Sequence, residues 1–151
     1  ETKLKSLDLT IPFMMDGYPR KINQAHDYEE ILSSLGLNVD KVIYINIDKE
    51  TGLKRVLGRI SCPICKKTYN VLTGYNTPKN GKLCDNCNVE LISRTDDTKE
   101  SYEKRFDIYM TETAPVIDYY RKQGKLITID GTKEPEETLK SLITLLGVNN
   151  G

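Results

Sequence analysis

Four cysteines constrain this chain more than anything else in its 151 residues. They stand as Cys62-Pro-Ile-Cys65 and Cys84-Asp-Asn-Cys87, with eighteen residues between the pairs, and no other cysteine occurs. A two-residue gap lets one tight turn present two thiolates to a single ion, and two such turns complete a tetrahedron. Four protein ligands leave no position open for water, so the spacing predicts a structural zinc and not a catalytic one. Two disulfides or four free thiols are the competing readings. Tight pairs behind a first twenty residues that do not form a signal peptide favour a metal in a reducing compartment, and the cytoplasm is the expected location. Between Ser61 and Arg94 the chain is rich in Gly, Asn, Lys and Thr, and no helical period survives. Such a stretch buries too little apolar surface to fold alone, so metal binding has to supply the missing free energy.

The rest of the sequence has the texture of an α/β core. Ile11 to Met15 reads as a short buried strand ending in a turn at Asp16-Gly17. Ala25, Tyr28, Leu32 and Leu35 recur at helical spacing, with Gly36 as a stop. Lys41 to Asp48 is apolar on both faces apart from Asn46, as a strand inside a parallel sheet would be, and a short helix from about Lys49 to Leu57 follows. After the cysteine module, Tyr102, Phe106, Tyr109, Thr113, Ile117 and Tyr120 share one helical stripe that Pro115 bends or breaks. A strand over Lys125 to Asp130 and an amphipathic helix through Leu139, Leu142, Ile143 and Leu146 close the chain. The order predicts an α/β fold with a parallel sheet, divided as core 1–60, metal-binding insert 61–94 and core 95–151. Three visible strands are few for such a sheet. Lys plus Arg equals Asp plus Glu at 22 each, so there is no bulk field to draw nucleic acid or an anionic membrane. Nor does any apolar run approach the length of a membrane span.

Arginine usage is the second signal. The chain has six arginines, at 20, 55, 59, 94, 105 and 121, beside many more lysines. Where lysine is the default surface cation, arginine's planar fork suggests bidentate grip on phosphate oxygens. Arg121, in Tyr119-Tyr120-Arg121-Lys122, reads as a surface residue, as does the lone His26.

The segment Asp16-Gly17-Tyr18-Pro19-Arg20 with Gln24 after it resembles the signature of adenylate kinases. Gly58-Arg59, the four-cysteine insert, Arg94-x-Asp96-Asp97, Lys104-Arg105 and Asp130-Gly131-Thr132-Lys133 follow in family order, so the resemblance runs from about Thr10 to Leu146. It implies a nucleoside monophosphate kinase core of the P-loop type with an inserted zinc lid, and reversible Mg-dependent transfer from ATP to AMP to give two ADP. By resemblance, Arg20 holds the AMP phosphate and Gln24 meets its adenine. Arg55 and Arg59 bind ATP phosphates, Arg94 and Arg105 close over the phosphates in transfer, and Asp16 holds waters of the Mg²⁺ shell at the end of its strand. Backbone near Lys133 meets the adenine of ATP. Tyr69 is a candidate ATP contact, although packing within the module is the favoured role for both Tyr69 and Tyr75. Asp96-Asp97 is expected to cap the next helix or serve a hinge, with the lid swinging on flanks near Gly58 and Asp96.

Departures from the family pattern are Lys21, Ile60 and Thr77, where threonine, arginine and proline are common. No stretch fits G-x-x-x-x-G-K-[ST], the loop that cradles ATP phosphates. The resemblance places that loop ahead of Glu1, so the chain is expected to be a C-terminal portion with little turnover by itself. A monomer without nucleic-acid or membrane partners is expected. The alternative is a non-catalytic zinc-ribbon module binding nucleotide or nucleic acid, with Lys66, Lys67, Lys79 and Lys82 as its basic face.

Overall fold

The computed structural model describes Asp8 and residues 11–147. The first helix, α1 (Ile22–Ser34), buries Ala25, Tyr28 and Leu32 along the expected stripe. It ends where Gly36 predicts. That glycine takes φ +73°, its N–H donates to Ser33 C=O, and the Leu37 N–H donates to Leu32 C=O. The left-handed closure costs glycine little and returns Leu37 to pack beside Tyr28 and Leu32.

The strand β1 (Val42–Asn46) leads into α2 (Lys49–Leu57), whose bounds match those expected. Asp48 caps this helix by accepting from the Thr51 N–H at 2.8 Å. The insert forms a small antiparallel sheet of β2 (Arg59–Ser61), β3 (Thr68–Asn70) and β4 (Ile92–Ser93), in the order β3-β2-β4. Arg59 lies opposite Asn70, and Ser61 opposite both Thr68 and Ile92. After it comes α3 (Lys99–Ile108), a π-helical turn over Tyr109–Thr113, and α4 (Ala114–Lys122). Then follow β5 (Leu126–Asp130) and α5 (Pro135–Leu146), which stops at Gly147 with φ +66°. Pro115 sits in the first turn of α4, where its missing N–H is tolerated. The expected break is therefore a widened turn just before the proline.

The chain divides into two compact units, one formed by residues up to Tyr44 with Ile108–Ile127, the other by Ile45–Asp107 with residues from Thr128 on. The boundary cuts both strands of the two-stranded sheet β1-β5. In the first unit the Val42 N–H donates to Lys125 C=O, and in the second the Gly131 N–H donates to Asn46 C=O. Register rises together on both strands, so the sheet is parallel, as expected. The first unit's cores gather Tyr28 with Leu32, and Ala25 with Val116 and Tyr120. The second unit's core lies inside the insert: Ile60, Cys62, Tyr69, Cys84 and Leu91.

Two strand expectations need correction. Ile11 to Met15 is no strand: it is irregular and exposed, Ile11 by 60% and Met14 by 78%. The Ile11 N–H turns back to Asp8 C=O, and among the described residues no strand pairs with the run. Asp16 consequently stands on a bend and not at a strand end. β1 also departs from full burial, with Ile45 53% exposed. Apolar sequence gives a strand its preference; only a hydrogen-bonding neighbour and a covering layer make it a buried one.

Candidate functional site

The cysteine module is built from two copies of one turn. In the first, the Lys66 N–H donates to Cys62 C=O and the Cys62 N–H to Lys67 C=O. In the second, the Asn88 N–H donates to Cys84 C=O and the Cys84 N–H to Val89 C=O. Lys66 and Asn88, each just after the second cysteine of its pair, both adopt left-handed φ, at +61° and +52°. The four Sγ atoms lie within 4.8 Å of one another. Cys65 Sγ and Cys84 Sγ are 3.7 Å apart, far beyond a disulfide bond of about 2.05 Å. A tetrahedron with metal–sulfur bonds of about 2.3 Å has edges of about 3.8 Å, so the donor set fits a tetrahedral metal ion.

The module's polar groups favour an anionic sulfur at Cys84. Burial opposes the Cys84 thiolate, yet the Tyr69 hydroxyl and the backbone N–H groups of Cys87 and Asn86 bring its pKa down to about 6. The Tyr69 hydroxyl lies 3.6 Å from Cys84 Sγ and accepts from the Asp85 N–H at 3.0 Å. Its ring is 1% exposed, so Tyr69 packs inside the module and presents no face to a ligand there. Bonding to Cys65 and burial push the Cys87 thiol up to about 12.

The arginines at the module's two joins are held by carboxylates. Arg59 Nε donates to Asp97 Oδ2 at 2.8 Å and its Nη2 to Asp97 Oδ1 at 2.5 Å, and the Asp97 side chain is 2% exposed. That pairing raises the Arg59 pKa. Arg94 makes the same two-pronged contact with Asp96, both bonds 3.0 Å, and lowers the Asp96 pKa. Capping of α3 falls instead to Thr98, whose Oγ1 accepts from the Ser101 N–H at 3.1 Å. Asp97 as a partner of Arg59 was not legible in the sequence, because the two are 38 residues apart. Arg105 is exposed on α3, and its Nε donates to Ser101 C=O.

Arg55 reaches the loop after β5. Its Nη2 donates to Lys133 C=O at 2.8 Å and to Thr132 C=O at 3.3 Å, and its guanidinium lies 5.6 Å from the Tyr75 ring centre. In the other unit, Arg20 Nε donates to Gly17 C=O at 2.8 Å, and its backbone N–H to Gln24 Oε1 at 2.9 Å. The structure thus brings together Asp16, Arg20 and Gln24 in one unit, and Arg55, Arg59, Arg94, Arg105 and Lys133 in the other. His26 is exposed and edge-on to Tyr119, and exposed Arg121 pairs with Asp118.

Comparison with known proteins decides the family. The family model described as adenylate kinase matches residues 1–125. An adenylate kinase of Alkaliphilus oremlandii is 40% identical over 147 residues, covering 97% of this chain and 67% of that protein. One of Kosmotoga olearia is 44% identical over 149 residues, covering 96% and 68%. The chain belongs to the adenylate kinase family. It therefore falls in a class of phosphotransferase enzymes, and it spans about two thirds of the length of the curated relatives it matches. Among the described residues no helix is long and apolar enough to cross a membrane.

Proposed function

We propose that this chain carries the lid and most of the phosphate-binding arginines of an adenylate kinase that converts ATP and AMP reversibly to two ADP. The observation that carries the reading is the pair of bidentate forks, Arg59–Asp97 and Arg94–Asp96, one at each join of the cysteine module. A phosphate offers such a fork the same two-oxygen geometry with more charge, so at the exposed Arg94–Asp96 pair it can displace the carboxylate. Zinc is the proposed metal of the four cysteines, holding the lid (61–94) in shape without taking part in the reaction. Phosphoryl transfer needs little covalent chemistry from the protein: positive groups stabilise the in-line transition state, and a cover excludes water. Arg20 takes the AMP phosphate, Gln24 the AMP base, Arg55 and Arg59 the ATP side, and Arg94 and Arg105 the groups in transfer. Mg²⁺ arriving with ATP neutralises phosphate charge, and Asp16 holds its waters.

Two of the lid lysines are engaged within the module, which weakens a nucleic-acid reading. Lys66 Nζ donates to Pro63 C=O at 2.7 Å, and Lys67 Nζ lies 3.7 Å from Asp85 and over the Tyr69 ring. In the natural gene product, Arg20→Ala is expected to weaken AMP binding about 10- to 100-fold while ATP affinity holds, the loss typical of a charged hydrogen-bonding partner. Arg55→Ala should do the reverse. Calorimetric titration with each nucleotide, beside a coupled ADP-formation assay, measures both. Absence of ADP formation together with no binding of a linked ATP–AMP mimic would end this reading.

A further inference from the structure

The π-helical turn Tyr109–Thr113 interrupts an otherwise α-helical run, and its Ala114 N–H donates to Tyr109 C=O across the wide spacing. Pro115 supplies a local cause. It has no N–H for the carbonyl of Thr111, and its ring crowds that carbonyl, so the chain widens just before it. The widened turn is also where two side chains cross to the Arg20 segment. Thr113 Oγ1 donates to Arg20 C=O at 3.0 Å, and Lys21 Nζ donates to Glu112 Oε1 at 3.1 Å. A helical threonine ordinarily spends its hydroxyl on a carbonyl three or four residues back. Thr111 does so, donating to Ile108 C=O at 3.2 Å. Thr113 forgoes that bond for a carbonyl 93 residues away.

Arg20 is thereby held on three sides: its carbonyl by Thr113, its N–H by Gln24, and its Nε by Gly17 C=O. We infer that Thr113 is a positioning residue, fixing through the Arg20 carbonyl the direction in which that arginine meets an anionic nucleotide. This rests on the phosphate role of Arg20 proposed above. The hydroxyl, and not the bulk of the side chain, carries the effect.

The test is calorimetric titration of the natural gene product with AMP and, separately, ATP. Thr113→Val keeps the shape and removes the donor; it is expected to weaken AMP about three- to tenfold and leave ATP within twofold, the worth of one hydrogen bond. Thr113→Ser restores the donor and should return AMP affinity to within twofold of the parent. Glu112→Gln disturbs the same turn without touching Arg20 and should leave AMP affinity within twofold. If the valine variant loses its thermal transition, Thr113→Ala takes its place. Equal loss for AMP and ATP, or failure of serine to rescue, overturns the inference. If Arg20→Ala leaves AMP binding unchanged, or the parent binds no AMP, the functional reading itself falls first and takes this inference with it.

Discussion

Removing metal from the Cys62–Cys65–Cys84–Cys87 cluster is expected to unfold the module from β2 to β4 while the helices elsewhere remain. Among the described residues, the only non-cysteine side chains in its buried core are Ile60, Tyr69 and Leu91, whereas a structural zinc contributes about 10–16 kcal/mol at neutral pH. The core does not match that. Metal analysis should find one zinc per chain, and excess chelator should collapse the dispersed amide resonances of residues 59–93 in an NMR spectrum. Cys84→Ser should do the same without chelator. The pH dependence has a definite sign. A Cys84 thiol held at about 6 is already ionised at neutral pH, so zinc affinity should fall more steeply with falling pH below about 6, where protons compete for that sulfur as well. Cys87 starts protonated, near 12, so zinc binding at pH 7 should release at least one proton, measurable in buffers of different ionisation enthalpy. A module that keeps its amide dispersion after complete chelation would show that the metal is not what folds it.

Gly58→Ala is expected to cost about 3 kcal/mol, against the usual sense of such a change. Gly58 has ordinary right-handed φ and ψ, −83° and −5°, and replacing glycine by alanine there would normally stabilise by about 0.4–1 kcal/mol. Contact reverses the sign. A Cβ would lie 2.2 Å from Asn70 Oδ1, 2.8 Å from Leu72 Cβ and 2.9 Å from the Leu72 backbone nitrogen. The first of these belongs to a carboxamide with two tasks: Asn70 Nδ2 donates to Arg55 C=O at 2.8 Å, and Asn70 Oδ1 accepts from the Leu72 N–H at 3.0 Å. Overpacking costs about 1–3 kcal/mol, and each displaced hydrogen bond about 0.5–1.5. Asn70→Ala loses the bonds without the clash and should cost about 1–2 kcal/mol. In the double variant the losses should sum to less than the two singles, since one clashing atom is gone. Urea midpoints measure all three. A Gly58→Ala variant within 0.5 kcal/mol of the parent would show that the Asn70–Leu72 segment yields there, as a flexible hinge would. On the present geometry, glycine at 58 serves close approach between α2 and the lid sheet.

The sequence by itself determined what depends on local spacing. The cysteine pairs specified their own turns and a four-thiol cluster, since each turn closes within six residues. Gly36 and the Lys49–Leu57 helix were equally legible, being matters of φ and of helical period. The family was legible too, because its motif from Asp16 to Arg20 and the later arginines keep their order along the chain. Tertiary structure decided what depends on partners. Whether Ile11 to Met15 is a strand turns on a neighbour to pair with, and apolarity cannot supply one. Tyr69 and Tyr75 read alike in sequence, yet one ring is sealed behind Cys84 and the other lies over Arg55. Asp97 beneath Arg59, Asn70 beside Gly58 and Thr113 on the Arg20 carbonyl are contacts across 12 to 93 residues, and no periodicity encodes them. They arise where the chain returns on itself.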